Sequence, residues 1–340
     1  MKRGTASLRE GIRRVNGAPA LLAGACALTL LIALPLSIAL RGMLETHLGH
    51  SLAADAVAAR ADYEWWQEFL GQASGLSTTF TQSISGFGAV LENVSGLLDN
   101  KPLAATIAGA TAAWMLIWSF ITGGILDRLA RDRRTRSLGF FAACGAHVWR
   151  LLRLGILAAL IYYALFAWVH PAIFDMGYAL LTRDMTVERD AFFIRVGGYA
   201  IFGALLVFFG LIFDYARIRI VVEDRRSAVA AFAAAVRFVR RHFGTVVVLY
   251  VLNAGLFVLL AAVYALVAPA IPGQGVAMWG ALLLGQTYIV GRHYVKLLFY
   301  ASQCAYFQSA LAHASFTAAP PVVWPESPAV EAIINAEPTV

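Results

Sequence analysis

Charge is what this sequence has least of. Asp, Glu, Lys and Arg together make up 14% of its 340 residues, against about 25% in an ordinary soluble domain. So few charges cannot coat a water-facing globule of this length. The hydrophobic share of 60% also exceeds the soluble norm of about 45–50%, and lipid is the natural solvent for such a chain. Cysteine is scarce as well. Cys26, Cys144 and Cys304 stand far apart with no partner at metal-ligand spacing, so buried, inert thiols are the expectation and no redox compartment follows.

Catalytic signatures are missing too. The sequence contains no H-E-x-x-H, no G-x-S-x-G, no Walker A and no G-x-G-x-x-G. Ionisable residues are absent from the middle of every long apolar run, where the polar content is Thr106, Thr111, Ser119, Asn253, Gln286 and Thr287. Ion-coupled carriers and intramembrane hydrolases usually display an ionisable residue at depth. Both classes are disfavoured, and no cofactor is implied.

What the sequence does have is apolar runs long enough to cross a bilayer, which needs about 20 residues. They predict an all-α integral membrane protein with six transmembrane helices at 18–40, 102–126, 154–169, 196–213, 244–268 and 275–291. The third is short, but Arg153 can snorkel. The first is too long for a secretory signal, whose apolar core runs to roughly 7–15 residues, so it is expected to be retained.

Basic residues alternate with acidic ones from loop to loop. Lys2, Arg3, Arg9, Arg13 and Arg14 precede the first run; Arg128, Arg131, Arg133, Arg134 and Arg136 follow the second; Arg217, Arg219, Arg225 and Arg226 follow the fourth. The segments between are acidic, with Glu45, Asp55, Asp62, Glu64, Glu68, Glu92 and Asp99 in 41–101. The positive-inside bias then puts both termini in the cytoplasm of a bacterial inner membrane. It places 1–17, 127–153, 214–243 and 292–316 inside, and 41–101 and 170–195 outside. The net charge of +7 points to anionic lipid as partner, with no role for nucleic acid. A membrane protein partner or a second copy of the chain fits the same picture.

A pattern recurs along the chain. "DRRTRS" at 132–137 returns as "DRRS" at 224–227, and each Ser leads into a basic amphipathic stretch, with a shorter version, "SLREGIRRVNG", at 7–17. Three pseudo-repeated hairpins follow, each preceded by a basic interfacial helix, with Ser137 and Ser227 as expected N-caps. Arg150, Arg153, Arg237, Arg240 and Arg241 are expected at headgroup level. Asp214 and Arg217, one turn apart where the fourth run ends, are expected to form a helix-end ion pair.

The outer segment 41–101 reads as a small helical cap. In "DYEWWQEF" the aromatic face of Trp65 and Trp66 is expected at the lipid interface or on the bundle, with Glu64 and Glu68 turned to water. His47 and His50 share a helix face, with Glu45, Asp55 and Asp62 nearby in sequence, which is half of a metal site. The tail 317–340 holds Pro320, Pro321, Pro325 and Pro328 and is expected to be disordered.

The Ser-led basic helices, "FDYARIRIVVEDRRS" and "RHYVKLLFYASQCAYFQ" resemble six-helix bacterial inner-membrane proteins related to the membrane domain of glycerophosphoryl diester phosphodiesterases. The resemblance spans most of 1–315. It implies no catalytic domain here, because neither His47 nor His50 is followed by the Arg of that family's His-Arg signature. Two function classes are compatible with these readings. One is a non-enzymatic membrane component, permease-like or organising lipids or proteins; the other is a membrane enzyme acting on lipid headgroups at the outer face.

Overall fold

The structure, a computed structural model, describes residues 2–59, 62–79, 94–101, 105–132, 135–268 and 275–312. It is helical throughout, with no strand among the described residues. Helix α1 (Lys2–Asn16) turns at Gly17 into α2 (Pro19–Leu48). The outer segment holds α3 (Ala54–Ala59) and α4 (Tyr63–Gln72). Then come α5 (Ala105–Arg131) and α6 (Ser137–Ala164), followed by π turns at Leu165–Val169 and Ala172–Gly177 and by α7 (Tyr178–Thr182). Helices α8 (Glu188–Val222), α9 (Ala228–Arg241), α10 (Phe243–Val267) and α11 (Ala277–Ala312) complete the chain.

Five stretches are long and apolar enough to cross a membrane: Pro19–Leu48, Ala108–Arg131, Ser137–Thr182, Glu188–Val222 and Phe243–Val267. The sixth expected span, 275–291, is not among these five: it begins at a turn and continues as the first half of α11, which carries Gln286 and Thr287 and reaches Arg292. Several expected boundaries move. Helix α2 runs past residue 40 to Leu48, helped by an Arg41–Glu45 pair one turn apart at 2.7 Å. The expected outer loop 170–195 is largely helix, because the π turns widen the ladder around Pro171. A wider turn relieves the clash of the proline ring and absorbs its missing N–H.

Burial is concentrated at one end of the bundle. Large apolar side chains along the spans stay open, as with Leu31 at 71%, Leu160 at 62%, Leu259 at 62% and Leu283 at 67% exposure. Close packing begins where the basic segments are. Ile125, Leu126 and Leu129 of α5, Leu151 and Leu154 of α6, Phe213 to Val221 of α8 and Leu297 to Phe307 of α11 form one core with Val15 of α1. Helix α9 contributes Ala228, Ala231, Ala235, Phe238 and Val239. The asymmetry has a physical cause: lipid gives apolar side chains no reason to leave it, whereas water does.

Helices α1 and α9 therefore bury their apolar faces against protein, whereas the start of α6 buries Cys144, Leu151 and Leu154 and leaves Leu138, Phe141 and Trp149 exposed. Helix α1 lies along α11, α6 along α5, and α9 along α8, and these are the three most extensive helix pairs. Ser227 caps α9, its hydroxyl accepting from the Ala230 amide at 3.2 Å. Ser137 does not act as a cap; it is the first residue of α6, behind an extended Arg136, and no side chain caps that start. Cys144 and Cys304 are buried and Cys26 is half-buried. The break at 269–274, the residues 80–93, Arg133, Arg134 and the tail 317–340 lie outside the described residues.

Two close approaches set the spacing at the packed end. A Cβ at Gly124 would meet the Cys144 sulfur at 2.6 Å and Phe140 at 2.7 Å, and one at Gly11 would meet the Ser302 backbone nitrogen and Cβ at 2.8 Å. In α8, by contrast, Gly197 and Gly203 face open space, while a Cβ at Gly198 would meet Ile173 and Phe174 at 3.2 Å. Gly11→Ala should force α1 off α11, at a cost of about 1–3 kcal/mol from overpacking. Thermal unfolding in lipid nanodiscs should show a Tm lowered by several degrees, while Gly24→Ala, with nothing within 4 Å, should leave it unchanged.

Candidate functional site

The packed end holds a mesh of charged and polar side chains. Arg14 donates to the Leu129 carbonyl at 3.0 Å and to Gln308 at 2.8 Å, Gln308 donates to the Ala130 carbonyl at 3.0 Å, and Arg128 donates to the Gly17 carbonyl at 2.9 Å. These bonds stitch α1 and α11 to the end of α5. Glu10 accepts from Arg13 and from Arg14, and the Arg13 hydrogen bond leads in pulling its carboxyl down to about 2.

One local arrangement occurs twice. Asp132 and Asp224 each sit just past a helix with positive φ, 49° and 50°, a conformation that Asp tolerates better than most residues. Asp132 pairs with Arg13 of α1 at 2.5 Å, and Asp224 pairs with Arg150 of α6. In each case the aspartate ending a returning helix meets an arginine of the amphipathic stretch that opened the same hairpin.

Deeper in, α8, α11, α5 and α2 bring together a second polar group. Arg217 donates to Asp214 at 3.0 Å, and Gln303 donates to the other Asp214 oxygen at 3.2 Å. This pair is not at a helix end. Helix α8 continues nine residues beyond Phe213 to Val222, because Tyr215, Ala216, Ile218, Ile220 and Val221 all find cover in the core. Lys296 of α11 lies against two indoles, 3.7 Å from the Trp118 ring centre and 4.4 Å from that of Trp114. Trp118 donates to the Tyr300 hydroxyl at 3.2 Å. His293 meets Thr29 of α2 at 2.9 Å, and since the Thr29 hydroxyl proton goes to the Ala25 carbonyl, Nε2 is the donor. His293 Nδ1 and Gln303 Oε1 are buried with no partner among the described residues.

Charge is unbalanced here. Among the described residues Arg217, Arg292 and Asp214 are the charged groups that act on Lys296, so three cations face one carboxylate there, and that carboxylate is committed to Arg217 and Gln303. No carboxylate among the described residues is within ion-pair distance of Lys296 or Arg292. A cation on an indole face gains about 0.5–2 kcal/mol, less than the several kcal/mol that desolvating an ion costs.

The remaining candidates fall elsewhere. Trp65 and Trp66 are buried with Phe69 beside Leu44 and Leu48 of α2, so the bundle covers them and not lipid, while Glu64 and Glu68 are exposed. Arg150 is engaged with Asp224 and is not free for a headgroup. Arg153, Arg237, Arg240 and Arg241 are exposed. His47 accepts from the Trp65 indole at 3.2 Å and, with His50 and Glu68, lines an open cleft of about 630 Å³. Asp55 does not line it. No group of three or more His, Cys, Asp or Glu side chains placed to hold a metal occurs among the described residues.

A second cavity of about 520 Å³ lies near the N-terminal end of α8, lined by residues that include Asp99, His170, Arg195 and Tyr199. Tyr199 donates to Asp99, and with Ser95 it holds that carboxyl below its usual value.

Lys296 and His293 fall in the segment 292–316, expected from the sequence to lie inside, and nothing in that expectation named their neighbours. The i,i+4 tandem of Trp114 and Trp118 was the signal available, since one turn of helix stacks both rings on one face. Comparison with protein-family models, curated proteins and solved structures gives no match. The fold by itself defines the class: an all-helical protein with several helices of membrane-crossing length and hydropathy.

Replacing Asp214 by Asn should leave Arg217 unpaired, and losing one partner of a buried pair costs about 3–5 kcal/mol. The lower end applies, since 36% of the Arg217 side chain remains exposed. The double change Asp214→Leu with Arg217→Met should recover most of that loss in a thermal or denaturant melt.

Proposed function

We propose that this chain is a six-span protein of the bacterial inner membrane, built as three pseudo-repeated hairpins with both termini cytoplasmic. Its work is non-enzymatic: it organises anionic lipid and a membrane protein partner at the inner leaflet. The observation that carries this reading is the repeated aspartate-to-arginine link, Asp132 to Arg13 and Asp224 to Arg150. Equivalent contacts in the first two hairpins are what a repeated unit produces.

The cyclic packing supports it. Each amphipathic segment lies on the returning helix of the hairpin before it, and α1 closes the ring on α11. The sixth span is then the first half of α11, from 275 to 291, with exposed Arg292 at its inner edge. The basic helices are interfacial in different degrees: protein covers the apolar faces of α1 and α9, Leu138, Phe141 and Trp149 of α6 are left for lipid, and Arg153, Arg237, Arg240 and Arg241 are exposed at the level where anionic headgroups attract basic residues.

A reporter fused after Val340 tests the topology. Activity of a cytoplasmic-type reporter is expected there, and activity of a reporter that works only in the periplasm would overturn the six-span arrangement.

A further inference from the structure

We propose that Lys296, where α11 packs on Trp114 and Trp118 of α5, together with Arg292 binds a phosphate-bearing anion. The geometry asks for one. The Lys296 ammonium rests on the faces of Trp114 and Trp118, and an indole face offers no oxygen to its three N–H donors. No hydrogen-bond partner meets those donors among the described residues, although the side chain is only half-buried. Arg292 stands one turn earlier on the same face of α11 and is exposed. Two like charges at i,i+4 destabilise a helix unless something neutralises them.

The chain had the means to pair these cations and does not use it. Asp214, the carboxylate that acts on Lys296 among the described residues, is held by Arg217 and Gln303. An anion supplied from outside would accept from Lys296 and Arg292 together, the arrangement by which charge-assisted hydrogen bonds fix a phosphate. The tandem indoles orient the ammonium, so little rotamer freedom remains to be lost when the anion arrives. Two sources offer this chemistry, an anionic phospholipid and free inorganic phosphate. The lipid source deepens the inner-leaflet reading above and rests on it, because that reading puts 292–312 on the cytoplasmic side.

The test uses the whole chain purified in detergent, with native mass spectrometry and thermal unfolding as readouts. Phosphatidylglycerol should be retained and should raise Tm more than phosphatidylcholine does. Lys296→Gln should weaken that binding at least tenfold, whereas Lys296→Arg should stay within a few-fold of the native chain. If millimolar inorganic phosphate displaces the lipid and gives the same protection, the site serves free phosphate; if it does neither while the lipid binds, the source is lipid. Should Lys296→Gln fail to fold, Arg292→Gln, at an exposed position, must weaken binding several-fold. Equal binding by the native chain and the soluble variants, or no preference for phosphatidylglycerol or phosphate over phosphatidylcholine, overturns the proposal. A reporter result that inverts the topology would leave this binding intact, so the two readings fail separately.

Discussion

Everything at the packed end depends on the first helix reaching the last. Helix α1 meets α11 so closely that Gly11 has no room for a side chain beside Ser302, and Arg14 then bridges to Leu129 and Gln308. That contact covers the apolar face of α1 and the second half of α11 at once. Without it, residues such as Val15, Leu297 and Cys304 would face water at the end of the molecule where the hydrophobic effect acts. Along the spans no such force operates, and the helices there leave large apolar side chains uncovered.

Building the core at the charged end has an electrostatic consequence. Arginines and a lysine become partly desolvated, and the chain compensates them in different ways. Arg217 takes a carboxylate, Arg219 takes Glu223 at 3.2 Å and lies over the rings of Phe238 and Phe307, and Lys296 takes only indole faces. Aromatic faces are the weakest of these solutions, and they leave the Lys296 charge without a carboxylate among the described residues. Structure and proposed chemistry meet at that residue.

Much of the architecture could be read from the sequence, because length and hydropathy report directly on membrane crossing. The run at 196–213 falls inside a long helix, and those at 18–40 and 244–268 do so to within one residue. Local chemistry was readable where it depends on near neighbours: Ser227 caps α9 and Asp214 pairs with Arg217. What was not readable depended on residues distant in sequence. Nothing near Arg150 announces Asp224, 74 positions away, and nothing near Trp65 announces that α2 will cover it. Amphipathicity shows that a helix has an apolar face, and the same pattern serves whether lipid or protein covers it. For α1 and α9 it is protein, while Leu138, Phe141 and Trp149 of α6 stay uncovered.

That last point is the centre of the account, and thiol labelling tests it most directly. In a chain with Cys26 replaced by Ala, single cysteines at Ala231 and Val229 report on the two sides of α9, one buried and one exposed. Labelling rates would be compared in membranes and after extraction into detergent with lipid removed. If protein covers the apolar face, Ala231→Cys stays unreactive in both conditions while Val229→Cys reacts quickly once the lipid is gone. If Ala231→Cys becomes as reactive as Val229→Cys on lipid removal, lipid was the cover and the packed end described here is wrong.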